Sequence, residues 1–267
     1  MTEVAVVIQD SFEHGASPYW ARFATGHADI ESAPDVLRFV EEGAEEGKLS
    51  DAEIGDYRAV PKSKLPWTPP TRLTVRARFS HAAGQVLGTA GFGFWNDPFD
   101  WIGNVQVPPN ALWFLYVSPQ SDFAFAPNVR GNGWKAATLN GGRAGGLTMA
   151  LGNFVFCLPG MSTLVFRLAQ TRLAAHEKTL DDVALTDWHE YRIDWLAREA
   201  IFFVDDTEIF RALNPPTVPL GFVAWIDNNR MTIGIGREFA FSRLRIEQRQ
   251  WMELSRVAIE RLTTEHR

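Results

Sequence analysis

A single cysteine, Cys157, stands in 267 residues, so an intramolecular disulfide is excluded and a thiolate metal cluster has no second ligand. The 6 histidines are scattered, with no H-x-H or H-x-x-E-H spacing, and no metal is expected. No G-x-S-x-G elbow and no G-x-x-x-x-G-K-[ST] loop occurs, and Gly91-Phe92-Gly93 lies in a β context without the helix that a dinucleotide fingerprint requires. Basic residues number 26 against 32 acidic ones, for a net charge of -6. They are dispersed, which excludes a phosphate-reading surface and hence nucleic acid as a partner. Residues 144–166 carry no charge, long enough to require a membrane check. Gly145, Gly146, Gly152, Asn153, Pro159 and Gly160 interrupt the stretch, so no membrane span is expected. It reads instead as an apolar flap, with a Gly-rich entrance from Asn140 to Gly146. Met1 to Asp10 lacks the basic and apolar regions of a secretory signal; with one cysteine, the expectation is a cytoplasmic protein.

What the chain has in quantity is aromatic surface: 10 Trp and 19 Phe, within 46% hydrophobic and 22% charged residues. That suffices for one large core, and a single domain over residues 1–267 is expected. From Trp188 to Trp195, the residues His189, Tyr191, Ile193 and Trp195 alternate with Glu190, Arg192 and Asp194, the period of a strand with one wet face. Ala200 to Phe210 continues the pairing, with Asp205 and Asp206 as turn residues. Leu73, Val75, Ala77 and Phe79 alternate in the same way, and strands are also expected over Gly91–Trp95, Asn110–Ser118 and Val218–Ile226. Three helical decorations are predicted: an insertion at about 32–60, opened by Ser32-Ala33-Pro34-Asp35; a helix closing the flap region of about 140–180; and a terminal helix at about 250–267, where Trp251, Leu254, Ala258 and Leu262 recur at helical spacing.

The pattern W-H-x-Y-x-I-x-W followed by F-x-V-D resembles the late hairpin of concanavalin A-like jelly rolls, in particular the family 16 glycoside hydrolases. The resemblance spans residues 71–118 and 186–250. It implies an all-β fold, a jelly-roll β-sandwich of two antiparallel sheets, and glycan chemistry. It also leaves room for a structural calcium, although no cofactor is expected. Retaining glycosidases work with two carboxyl groups about 5–5.5 Å apart. The family carries them as E-x-D-x-E or E-x-D-x-x-E on the strand after the one resembling Gly91 to Trp95. Here that strand, Asn110 to Ser118, contains no carboxylate, so no catalytic role transfers to it.

Two other acids are candidates for relocated catalysis. Asp97 and Asp227 follow the ends of aromatic strands and would converge in a groove beside Asn96, Asn228 and Asn229; the competing reading is that these Asn and Asp residues close turns. Trp95, Trp113, Tyr116, Trp134 and Trp225 are flanked by polar residues, as walls of a pocket for a hydroxyl-rich ligand would be. Some of them must be core. Three functions follow: a small-molecule glycoside or glycan binder without the usual acid pair; a glycoside hydrolase or lyase using Asp97 and Asp227; or a binder or converter of a lipophilic metabolite lidded by residues 140–166, with Phe154, Phe156 and Leu158 in its lining.

Overall fold

The computed structural model describes residues 3–58, 60–98, 107–126, 128–142, 174–234 and 240–263. Their strands, in chain order, are β1 (Glu3–Asp10), β2 (Ala21–Thr25), β3 (Ala28–Ala33), β4 (Val36–Glu41), β5 (Asp51–Gly55), β6 (Thr71–Phe79), β7 (Thr89–Trp95), β8 (Asn110–Val117), β9 (Asp122–Ala124), β10 (Gly133–Asn140), β11 (Ala174–Thr179), β12 (His189–Trp195), β13 (Glu199–Val204), β14 (Thr207–Leu213), β15 (Gly221–Asp227), β16 (Asn229–Gly234), β17 (Ala240–Arg243) and β18 (Gln250–Thr263). Two large antiparallel sheets face each other. One runs β14-β13-β12-β6-β18-β4-β3, with β1 also on β18; the other runs β11-β10-β8-β7-β15-β5-β2. A small sheet, β17-β16-β9, forms a third layer.

Alternation explains the sandwich. Leu73, Val75, Ala77 and Phe79 of β6 turn inward, as do Phe92 and Phe94 of β7 and Leu112, Phe114 and Tyr116 of β8. At the centre, Phe114 lies 5.0 Å from Tyr191, 5.4 Å from Phe202 and 6.0 Å from Trp134 between ring centroids. Rings at these separations add to the area they bury. Asp205 and Asp206 both take positive φ, 48° and 62°, between β13 and β14, the backbone that a two-residue hairpin turn demands.

The predicted helices are corrected. Among the described residues the helical element is one 3-10 turn, Lys62–Lys64. The insertion at 32–60 holds β4, β5 and the end of β3: Pro34 and Asp35 make a two-residue hairpin turn, Asp35 at φ 59°, rather than a helix start. Leu37 and Phe39 then enter the core on strand alternation. The terminal helix at 250–267 is β18. Its pairing with β6 shifts between Leu254 and Arg256, so the inward residues Met252, Leu254, Val257 and Ile259 are spaced two, three and two apart. A bulge adds one residue to a strand, and that spacing imitates a helical period. Where the flap helix was expected to end, Ala174–Thr179 pairs with β10 as an edge strand; Phe154, Phe156, Leu158 and the rest of 143–173 lie outside the described residues.

Candidate functional site

Each large sheet turns one face away from the core, and the two outer faces differ in kind. On the eight-stranded sheet Arg72 pairs with Asp194 at 2.6 Å, Glu253 receives both Arg38 and Arg78 at 2.6 and 2.7 Å, and Arg192 pairs with Asp206 at 2.6 Å. The Arg76 and Arg78 guanidinium groups lie 4.7 and 4.8 Å from the Trp188 ring. This alternation of sign is the wet face of an antiparallel sheet.

The seven-stranded sheet instead presents Trp95 on β7, Trp113, Leu115 and Val117 on β8, and Val223 and Trp225 on β15, the positions alternating with the core residues. A contiguous apolar face of this kind calls for a cover or a ligand. The third layer supplies part of a cover: Phe123, Phe125, Met231 and Ile233 pack with Leu115, Val117, Trp113 and Trp225. It is tethered by a buried pair. Lys135 Nζ lies 3.4 Å from Glu177 and donates to the Phe123 carbonyl, while Glu177 Oε2 accepts from the Phe125 and Ala126 amides at 2.9 and 3.0 Å. The strand that resembles the family's acid-bearing one therefore turns Leu115 and Val117 under this layer.

Three half-buried indoles form a row across the face. Trp95 and Trp113 centroids are 6.5 Å apart, and Trp113 and Trp225 centroids 6.0 Å. Gly91 and Gly93 make the second approach possible. They pair in register with Trp225 and Trp113, and a Cβ on Gly91 would stand 3.1 Å from the Trp225 ring. Tyr57 meets Trp95 edge-on at 5.3 Å. Its hydroxyl donates to Glu53 at 2.5 Å, and Arg58 donates to both Glu53 oxygens at 2.9 and 3.2 Å. Burial, more than Arg58 and Tyr57 can offset, holds the Glu53 carboxyl above its usual range.

Beyond Glu53 lies a buried acidic end of the sheet. Asp51 and Asp227 are directly opposite in register. Burial drives Asp51 well above the usual carboxyl range, with Glu53 and Asp227 adding to it. Burial also raises Asp227, to about 6, against hydrogen bonds from Asn229 and Thr89. Among the described residues no group of three or more His, Cys, Asp or Glu is arranged to hold a metal ion.

The residues expected from sequence separate into three fates. Trp95, Trp113 and Trp225 come together on the outer face. Tyr116 and Trp134, exposed by 0% and 1%, are core residues between the sheets, a correction that follows from their inward strand parity. Asn96 and Asn228 are consumed by structure. Asn96 donates to the Pro108 carbonyl and accepts from the Asn110 amide; Asn228 bonds Ser50, Lys48 and Leu244. Asn229 donates from backbone and side chain to Asp227 at 2.9 and 2.6 Å.

Asp97 and Asp227 do not converge. In register Gly221 faces Trp95 and Asp227 faces Thr89, so the two acids flank opposite ends of β7, a strand that spans about 20 Å at 3.3 Å per residue. Asp97 follows the end of β7 at φ 42°, its carbonyl accepting from Lys62. Sequence reading missed Asp51, Glu53, Tyr57 and Arg58. The signal is the alternation of Asp51 and Glu53 with Ala52 and Ile54, inside the predicted helical insertion.

The chain matches no family model and no curated protein. Among solved structures, the GlcNAcα1-4Gal-releasing endo-β-galactosidase of Clostridium perfringens superposes with a TM-score of 0.57 at 12% identity, over 99% of this chain and 64% of that one. This chain thus spans under two thirds of that enzyme. A structure from work on endo-acting O-glycanases that members of the human gut microbiota express to initiate mucin breakdown gives 0.56 at 13%, over 97% and 100%. A non-specific endo-β-1,3(4)-glucanase of family 16 gives 0.52 at 11%, over 97% and 92%. The fold is a concanavalin A-like jelly roll. Within that jelly roll, the outer face of the seven-stranded sheet carries the row of indoles.

Proposed function

We propose that this jelly roll binds a carbohydrate or glycoside on the outer face of its seven-stranded sheet, with Trp95, Trp113 and Trp225 as the apolar platform. The observation that carries the reading is the contrast between the two outer faces: one is a neutralised charge lattice, the other a row of half-buried indoles beside the polar corner of Glu53, Tyr57 and Arg58. Apolar walls with a few placed polar groups are the composition of small-ligand sites. The glycan-acting enzymes that share the fold support the ligand class.

No hydrolytic step is assigned. The β8 positions that turn outward are Trp113, Leu115 and Val117, and Asp97 and Asp227 stand at opposite ends of β7. The apolar character of those β8 positions favours a second reading, a lipophilic ligand or an apolar aglycone on the same platform. The proposal includes a cytoplasmic setting, which a chain with one cysteine suits. Among the described residues no helix is long and apolar enough to cross a membrane.

A thermal-shift screen of glycosides, oligosaccharides and lipophilic metabolites tests the reading, because ligands of the native state raise the unfolding temperature by mass action. A shift with glycosides, lost in Trp113→Ala, is expected. A response to lipophilic compounds alone would replace the first reading with the second.

A further inference from the structure

The acidic end of the seven-stranded sheet is joined to the platform by hydrogen bonds. Trp225 Nε1 donates to Thr89 Oγ1 at 3.1 Å, and Thr89 Oγ1 donates to Asp227 Oδ1 at 2.9 Å. Asp227 Oδ1 also receives the Thr89 and Asn229 amides at 3.2 and 2.9 Å, and Oδ2 receives Asn229 Nδ2 at 2.6 Å. Four donors converge on this carboxyl, an arrangement suited to the ionised form. Asp51, directly across the register, has the opposite surroundings: its Oδ1 is buried with no hydrogen-bond partner. Two buried carboxylates facing each other cannot both stay ionised cheaply.

We propose that Asp51 carries the proton and Asp227 the charge at neutral pH, and that protonating Asp227 releases the Thr89 hydroxyl and with it the Trp225 indole, making the platform sensitive to mild acid. The surrounding groups leave the assignment intact. On β5, Glu53 is engaged by Arg58 and Tyr57. On β4, Glu41 is fully buried, with neither carboxyl oxygen in a hydrogen bond of good geometry, so it is a further neutral acid. From β17, Arg243 stands opposite Asn229. On β7 the facing group is Thr89, which does not titrate in this range. Burial against the four hydrogen bonds sets the Asp227 transition at about 6. That Trp225 belongs to a ligand platform rests on the reading above; the proton linkage is independent of it and is tested on the free protein.

The experiment is tryptophan fluorescence of the full chain from pH 4 to 8, with the Trp225→Phe trace subtracted to isolate the one indole. The difference signal should change with a midpoint near pH 6, and the transition should vanish in Asp227→Asn. Thr89→Val, which cuts the relay without removing the acid, should abolish it as well. Asp51→Asn mimics a neutral Asp51 and should leave the midpoint within about half a unit. A flat difference signal, or a transition that survives in Asp227→Asn, overturns the linkage. A fall of the midpoint by more than about one unit in Asp51→Asn, the mark of a lost neighbouring charge, overturns the assignment of the proton. If no glycoside binds but the transition is present, the ligand reading fails and this one stands.

Discussion

The Trp113 and Trp225 rings approach to 6.0 Å between centroids although β7 runs between their strands. Strands two apart in a sheet are separated by about 9.6 Å, so the indoles lean towards each other over Gly91 and Gly93. A Cβ at Gly91 would stand 2.2 Å from the Phe114 carbonyl oxygen as well as 3.1 Å from Trp225. Gly91→Ala should therefore cost more than about 1 kcal/mol, as backbone crowding does, and should shift the urea midpoint accordingly. Unchanged stability would mean that the gap over β7 is not needed.

Tryptophans on the two faces of β8 and β10 should respond differently to truncation. Trp134 packs among Phe79, Phe92, Phe114 and Tyr191, and Trp134→Ala should cost about 3–5 kcal/mol. Trp113→Ala, at a half-buried outer position, should cost less stability. It should weaken ligand binding tenfold or more, about 1.4 kcal/mol. Denaturant melts and titration calorimetry on the two variants separate these roles.

The buried acids make an unusual pH profile. Glu41 is raised to about 8, chiefly by burial, and Asp56 and Asp227 to about 6 for the same first cause. A carboxyl whose folded pKa exceeds its unfolded value binds more protons when folded, so each group destabilises the fold progressively as pH rises from the ordinary carboxyl range to its folded pKa. The slope per group is up to about 1.4 kcal/mol per pH unit. Glu45, Glu208 and Asp205 are lowered, but they are exposed and screened and oppose the trend weakly. Urea midpoints should be highest near pH 4–5 and fall towards pH 8, and Glu41→Gln should flatten the upper part of the fall. Stability that rises from pH 5 to 8 would contradict this.

A buried ion pair helps to tether the third layer. Glu177→Ala leaves the Lys135 ammonium, itself fully buried, without that carboxylate and frees the Phe125 and Ala126 amides. Breaking a buried pair from one side costs about 3–5 kcal/mol. Limited proteolysis near residues 122–126 should then be faster than in the unaltered protein. Equal resistance would show that the apolar contacts of Phe123 and Phe125 suffice to hold the layer.

Much of the sandwich was legible because its strands alternate: β6, β12 and the Asp205-Asp206 turn follow from period and turn chemistry alone. Where the period was broken, the reading failed. The bulge after Leu254 gave β18 a helical spacing, and the Pro34-Asp35 hairpin turn shares its residue types with a helix start. The site was half legible for a different reason. Both faces of β8 are apolar, so nothing in Asn110 to Ser118 said whether Trp113 or Tyr116 points inward; sheet register settles it. The polar corner was hidden because Glu53, Tyr57 and Arg58 meet the indoles only through pairing between β5 and β15.

The central claim, that Trp95, Trp113 and Trp225 form the ligand platform, is tested most directly by the indole N–H signals of the ten tryptophans in a ¹⁵N-correlated NMR spectrum, assigned by single Trp→Phe variants and followed during titration with a glycoside selected by thermal shift. Shifts are expected for Trp95, Trp113 and Trp225, with Trp134 and Trp195 unmoved in the core. Perturbations confined to other indoles, or none at saturating ligand, would contradict it.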